Sequence, residues 1–190
     1  MLEALRQPLE AGTVTISRAA RQVDFPARFQ LIAAMNPCPC GCFGHRTIAC
    51  RCTPDQIARY QDRISGPLLD RIDMRVEMTS FIEEELGHLP EGEPTRSVAA
   101  RVREVRDLAL SRQGKPNDRL GSSELQAPCK IEAGAQSLLH AAMARLGWSM
   151  RAYHRVQRVS RTIADLAGAA DIATRHVAEA IQYRRALREP

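Results

Sequence analysis

The spacing of hydrophobic residues changes character along the chain, from strand-like runs in the first third to a helical period in the last third. Leu2, Leu5 and Leu9 share one side of a short helix that Gly12 ends. Thr13-Val14-Thr15-Ile16-Ser17 alternates and is β-branched, which predicts a strand. A turn over 18–22 and a return over Val23–Phe25 complete a β-hairpin with arginines near its tip. The apolar run Phe29–Met35 has strand length and predicts a strand buried on both faces, as in a parallel sheet. Thr53-Pro54-Asp55-Gln56 predicts a helix start, with Thr53 as cap, Pro54 at the first position and Gln56 closing a capping box. That helix runs to about Ile64 and stops at Ser65-Gly66-Pro67. Ile72–Met78 alternates again and predicts a further strand.

Residues 83–95, with Pro, Gly and five Glu, form a linker. Beyond it the pattern is helical. An Arg-rich helix is expected over about 96–112, then a polar connection over 113–131. Ala135, Leu138, Leu139, Ala142, Met143 and Leu146 repeat at 3.6 residues up to Gly147. Ala152, Val156, Val159, Ile163 and Leu166 mark the next helix, and a last one spans 174–188. Such a set makes a small helical bundle. The domains expected are therefore 1–82, mixed α/β; 83–95, an acidic linker; and 96–190, all helix.

Composition adds little to the fold but narrows the setting. With 44% hydrophobic and 26% charged residues among 190, the chain is globular rather than disordered. No apolar run is long enough to cross a membrane, and Met1–Glu10 does not read as a signal peptide, so a cytoplasmic protein without membrane contact is expected. The net charge of +5 is unevenly spread: +2 over 1–80, −5 over 81–94 and +8 over 95–190. A basic half can be a nucleic-acid or phosphate footprint, or a set of solvated helix faces.

Cysteine usage changes the picture more. Five of six cysteines lie within 38–52, as Cys38-Pro-Cys40-Gly-Cys42 and Cys50-Arg-Cys52. Crowding of this kind points to a metal rather than to disulfides. Taken as two pairs, Cys38, Cys40, Cys50 and Cys52 can surround one structural Zn²⁺. Cys42 and His45 are surplus candidates, and the pair spacing is tighter than in common zinc ribbons.

Three further positions carry candidate chemistry. Asn36 follows the apolar run, where α/β folds place ligand-facing polar groups, although an Asn before Pro is also an ordinary loop start. Arg71 lies between Asp70 and Asp73, either as a surface ion pair or as a phosphate-contacting finger. Arg151, Arg155 and Arg158 share a helix face, which taken alone reads as solvated; Arg18 and Arg21 carry the same bland alternative. No G-x-x-x-x-G-K-[ST] phosphate loop and no believable Ser-His-Asp or Cys-His nucleophile set is present in the sequence.

Taken in order, Leu-Glu-Ala-Leu-Arg-Gln-Pro-Leu-Glu, Val-Asp-Phe-Pro-Ala-Arg-Phe, Ala-Ala-Met-Asn-Pro-Cys-Pro-Cys-Gly, Cys-Arg-Cys-Thr-Pro, Ile-Ser-Gly-Pro-Leu-Leu-Asp-Arg-Ile-Asp and Arg-Ala-Tyr-His-Arg…Arg-Thr-Ile-Ala-Asp-Leu resemble the YifB/ComM family. These are magnesium-chelatase-like AAA+ ATPases. The resemblance implies an α/β remnant of an AAA+ (P-loop NTPase-like) core, with a β-hairpin and a Cys-rich loop, followed by an all-α helical lid. It implies that Asn36 is sensor 1, Arg71 the arginine finger and Arg151 sensor 2 on the lid. It places Arg18 and Arg21 on a pore hairpin facing DNA. ATP and Mg²⁺ as cofactors, a homo-hexameric ring and DNA branch migration in natural transformation come with the family. Its Walker A and Walker B motifs precede the point matching Met1, so the chain resembles the family's C-terminal part and is expected to be inactive as an ATPase by itself. The other readings are a zinc-stabilised DNA-binding module, a partner that docks into rings of a full-length paralogue, and a magnesium-chelatase subunit.

Overall fold

A computed structural model describes residues 2–18, 21–78, 87 and 90–184. They fall into two compact units, one within Met1–Ile72 and Glu77–Leu89, the other within Asp73–Val76 and Pro90–Pro190.

The first unit begins with a 3₁₀ turn, Leu2–Leu5, that leads into α1, Arg6–Ala11. Gly12 ends α1 at φ 67°, in the left-handed region, and a Cβ there would lie 3.0 Å from Arg28 Cγ. Only glycine combines that backbone angle with that close approach. Strands β1, Thr13–Arg18, and β2, Arg21–Pro26, pair antiparallel from Thr13 opposite Pro26 to Arg18 opposite Arg21. A lone two-stranded ribbon is marginal in water. This one is braced by α1: Gln7 donates to Thr15 Oγ1 at 3.1 Å, and Thr15 donates to Asp24 at 2.6 Å. Helix α2, Pro54–Gln61, carries the capping box expected of it, with Thr53 Oγ1 accepting from Gln56 N at 3.3 Å and Gln56 Oε1 accepting from Thr53 N at 3.0 Å. At Ser65, where a stop was expected, the Ser65 hydroxyl caps a further turn, α3, Gly66–Leu69.

Two expected strands are absent. Residues 29–35 and 72–78 have no regular secondary structure, and Ile32 is 84% exposed. A strand exists where a neighbour's N–H and C=O groups answer its own. Among the described residues the sheet is β1 and β2, which pair with each other. The parallel sheet inferred from the apolar run therefore has no ladder here, and the α/β character of the first unit rests on one hairpin.

The second unit is helical: α4, Thr95–Gln113; α5, Ala133–Leu146; α6, Met150–Leu166; and α7, Thr174–Gln182. The expected extension of α7 to 188 lies partly outside the described residues, as do 19–20 of the hairpin tip and most of 79–89 in and before the linker. Gly114 and Gly147 end α4 and α5 at φ 72° and 60°. Helix α6 is the axis of the unit. It buries Val156 and Ala164 against Leu139 of α5 and Val177 and Ala180 of α7. Residues 113–131, expected as a polar connection, instead supply core: Leu120, Leu125 and Cys129 are buried in the same cluster. Cys129 is an ordinary core thiol whose pKa burial pushes up to about 11. A single parallel bridge, Ile131 with Ile172, joins the segments before α5 and α7.

Polar groups fix the register of this bundle. Arg161 is 1% exposed. Its guanidinium donates to the carbonyls of Ala169 and Ala170 at 2.5 and 2.7 Å and to Asp165 at 3.1 Å. Asp165 also accepts two bonds from Arg112 of α4, at 2.6 and 2.9 Å, and one from Asn117 at 2.8 Å. Burial pushes the Asp165 carboxyl up, but these donors and the two guanidinium charges outweigh it and hold the carboxyl below the usual carboxylate range. The arginine face of α6, expected to be solvated, is so only at Arg151. Arg155 is 8% exposed and Arg158 donates to the Leu120 carbonyl at 2.8 Å.

Asp165→Asn leaves the buried Arg161 without a counter-charge and is expected to cost about 3–5 kcal/mol in urea unfolding. Because the folded pKa of Asp165 is depressed, its contribution is complete above about pH 4 and is lost as pH falls through the folded value. The urea-unfolding free energy of Asp165→Asn is then less dependent on pH below 4 than that of the wild type.

Candidate functional site

The cysteine loop is shaped by its backbone. Gly41 and Gly44, both at φ 79°, turn the chain back on itself, and Gln61 of α2 donates to the Pro37 carbonyl at 3.2 Å. The result brings the sulfur atoms of Cys38, Cys40, Cys50 and Cys52 within 4.8 Å of one another. Sγ–Sγ distances are 3.3 Å for Cys38–Cys40, 3.7 Å for Cys38–Cys50 and 3.6 Å for Cys40–Cys50. Four thiolates at about 2.3 Å from a tetrahedral ion stand about 3.8 Å apart. The donor set and its spacing thus fit one metal ion. Backbone N–H groups point at the sulfurs, Phe43 N to Cys38 at 3.3 Å and Cys52 N to Cys50 at 3.5 Å. Such bonds stabilise thiolate charge.

The thiols do not ionise alike. Backbone donors at Arg51 and Cys42 bring Cys40 down to about 5. At Cys50 the Cys52 N–H favours the thiolate, but desolvation and the neighbouring sulfurs push it up to about 12. Crowded sulfurs cannot all carry charge without a cation among them. The surplus candidates have other contacts. Cys42 Sγ donates to the Cys40 carbonyl at 3.4 Å, and His45 Nδ1 accepts from Thr47 N and Ile48 N at 3.2 and 3.1 Å.

Asn36 is exposed on the approach to this loop, with Nδ2 beside Gly41, 3.8 Å from where a Cβ would stand. Arg71 is mostly buried, its side chain 11% exposed, and it forms an ion pair with Glu10 of α1 and donates to the Pro67 carbonyl at 2.7 Å. Its carboxylate partner is therefore Glu10, distant in sequence, rather than the flanking Asp73. Asp73 pairs with Arg155. Arg151 is exposed in the first turn of α6, whose Ser149 cap accepts from Ala152 N at 3.2 Å. Arg18 and Arg21 are exposed and directly opposite each other at the end of the ladder, on the face that carries Val14, Ile16, Val23 and Phe25. Neither Glu10 nor the Asp73–Arg155 pair was flagged by the sequence. An i, i+4 step from Arg151 marks Arg155, but nothing local marks its partner.

Two family models match the chain: magnesium chelatase, subunit ChlI, over residues 1–86, and magnesium chelatase, subunit ChlI C-terminal, over residues 92–184. The competence protein ComM of Haemophilus influenzae is 46% identical over 190 residues, 99% of this chain and 37% of the relative. YifB of Escherichia coli is 40% identical over 185 residues, 96% of this chain and 36% of the relative. Protein Mb2921c of Mycobacterium bovis is 35% identical over 189 residues, 97% of this chain and 37% of the relative. The chain spans a little over a third of the length of these relatives. It belongs to the ComM/YifB group of magnesium-chelatase-like proteins. A small two-stranded sheet followed by a helical unit is consistent with a partial AAA+-like fold and a helical C-terminal domain. Among the described residues no helix is long and apolar enough to cross a membrane.

Titration of the reduced chain with Co²⁺ is expected to give thiolate charge-transfer absorbance that saturates at one ion per chain. Cys38→Ser removes it and Cys42→Ser does not. An equal loss in both variants would show that Cys42 is a ligand.

Proposed function

We propose that these 190 residues are the nucleotide-sensing and lid portion of a ComM-like AAA+ ATPase that remodels DNA. The observation that carries the reading is the end-to-end match: 46% identity to a competence protein over 99% of the chain, across both chelatase family models. On this reading the Asn36 amide orients the attacking water at the γ-phosphate. Arg71 leaves its ion pair with Glu10 and reaches the nucleotide of the adjoining subunit. Arg151, in the first turn of α6, contacts the phosphates of its own subunit's nucleotide, where the helix N-terminus adds to the attraction. A planar, permanently charged guanidinium suits both arginine roles. ATP and Mg²⁺ supply the phosphoryl chemistry, and a homo-hexameric ring in the cytoplasm supplies the neighbour.

The hairpin carries the DNA contact. Like charges placed directly opposite in a ladder repel, and a phosphate between Arg18 and Arg21 relieves that repulsion. The thiolate cluster holds one Zn²⁺ in a purely structural role, since four protein ligands leave no open coordination position. Residues 1–82 act as the last part of the α/β core, 83–95 as the linker and 96–190 as the lid.

The isolated 190 residues are expected to show no Mg²⁺-dependent ATP turnover, because they hold no phosphate loop; turnover by clean protein overturns the reading. In the ring protein that carries this sequence, Arg71→Ala is expected to lower kcat about 10³- to 10⁵-fold. Replacing Arg18 or Arg21 by Ala should weaken DNA binding and reduce the slope of log K against log salt by about 1 each. An unchanged slope in both variants removes the hairpin from the DNA interface.

A further inference from the structure

Of the six cysteines, Cys38, Cys40, Cys50 and Cys52 converge as metal ligands and Cys129 is buried in the helical core. Cys42 is left over. It is half-buried, and its Sγ donates to the Cys40 carbonyl at 3.4 Å, so its side chain is turned back toward Cys40. The residue between them is Gly41, where the chain bends at φ 79° and the Gly41 N–H donates to the Cys38 carbonyl at 3.0 Å. Consecutive Cα atoms are about 3.8 Å apart, so Cys40 and Cys42 stand no more than about 7.6 Å apart, and a bend between them brings that toward the range of about 4.4–6.8 Å that a disulfide spans.

The ligand sulfurs differ in access. Cys38 is buried and Cys50 and Cys52 are half-buried, whereas Cys40 is exposed. An oxidant arriving from solvent therefore meets Cys40 first among the four. As a metal ligand Cys40 is held as a thiolate, the form that attacks a peroxide. A sulfur oxidised in this way is resolved by a second thiol. If another ligand served as that thiol, the centre would lose two of its four donors. Cys42 has no bond to a metal to give up, so resolution by Cys42 removes Cys40 alone.

We propose that Cys40 and Cys42 form a hydroperoxide-sensitive dithiol that unloads the metal centre. The Cys40 thiolate attacks one peroxide oxygen: an S–O bond forms, the O–O bond breaks and hydroxide leaves. The Cys42 sulfur then attacks the Cys40 sulfenic acid: an S–S bond forms, the S–O bond breaks, and the hydroxyl departs as water with the Cys42 proton. The two sulfurs together lose two electrons, and the peroxide gains them. Cys38, Cys50 and Cys52 remain, one donor short of a closed structural site. Metal-binding free energy is ordering free energy in a loop of this kind, so residues 37–53 loosen as the ion leaves. This unloading rests on the metal reading proposed above.

The 190-residue chain, loaded with Zn²⁺ and freed of reductant, is treated with hydrogen peroxide beside a metallochromic chelator. Remaining thiols are alkylated and the peptides are read by tandem mass spectrometry. The wild type is expected to release its one ion and to carry a Cys40–Cys42 disulfide, and dithiothreitol with fresh Zn²⁺ restores the loaded chain. Cys42→Ser is expected to load equally but to lose its ion without recovery, because its Cys40 goes on to the sulfinic acid, which thiols do not reduce. A wild type that keeps its ion, a disulfide from Cys40 to Cys38, Cys50 or Cys52, full recovery in Cys42→Ser, or failure of Cys42→Ser to load each overturns the dithiol and leaves the metal site standing. A wild-type chain that takes up no Zn²⁺ removes the metal reading itself, and the unloading falls with it.

Discussion

The helical unit depends on one buried ion pair, Arg161 with Asp165, one turn apart on α6. Desolvating two charges is expensive, and the cost is met only because every face of both groups is answered. Arg161 answers the carbonyls of the loop beyond α6. Asp165 gathers α4 through Arg112 and the connecting segment through Asn117. Pieces far apart in sequence are thereby held to one register, and Leu120, Leu125 and Cys129 are delivered to the core. Apolar packing provides the driving force, while the pair selects which packing.

The first unit is built on another plan. Among the described residues its buried ones are Pro8, Cys38 and Leu68, too few to order about seventy residues by burial. Local chemistry takes over: side-chain caps at Thr53 and Ser65, the Glu10–Arg71 pair, the Glu3–Ser65 hydrogen bond and the four converging sulfurs. Each fixes a short stretch. None gives the cooperative, all-or-none order that a shared core provides.

How much of this could be read beforehand follows from the same contrast. The hairpin, the Thr53 capping box, Gly147 and the α5–α6 period depend on residues close in sequence, and they were legible. The strand expected over 29–35 was not, because its apolar content is local but its ladder partners are not. The buried side of α6 was missed for a related reason. Arg155 and Arg158 look solvated until their acceptors arrive from Asp73 and Leu120. At the site, cysteine spacing narrowed the possible ligands, and the fold singled out a set of four by distance. The pairing of Arg71 with Glu10 lay beyond any local pattern.

The exposed run after the hairpin has a consequence for how the chain behaves in solution. Phe29, Ile32 and Met35 are 49%, 84% and 39% exposed. Apolar area left in water is recovered whenever two surfaces meet, at roughly 25 cal/mol per Å². Association of this kind is governed by mass action. Any surface that meets residues 29–35 gains by covering them, and the occupancy of such a contact rises with the concentration of that surface.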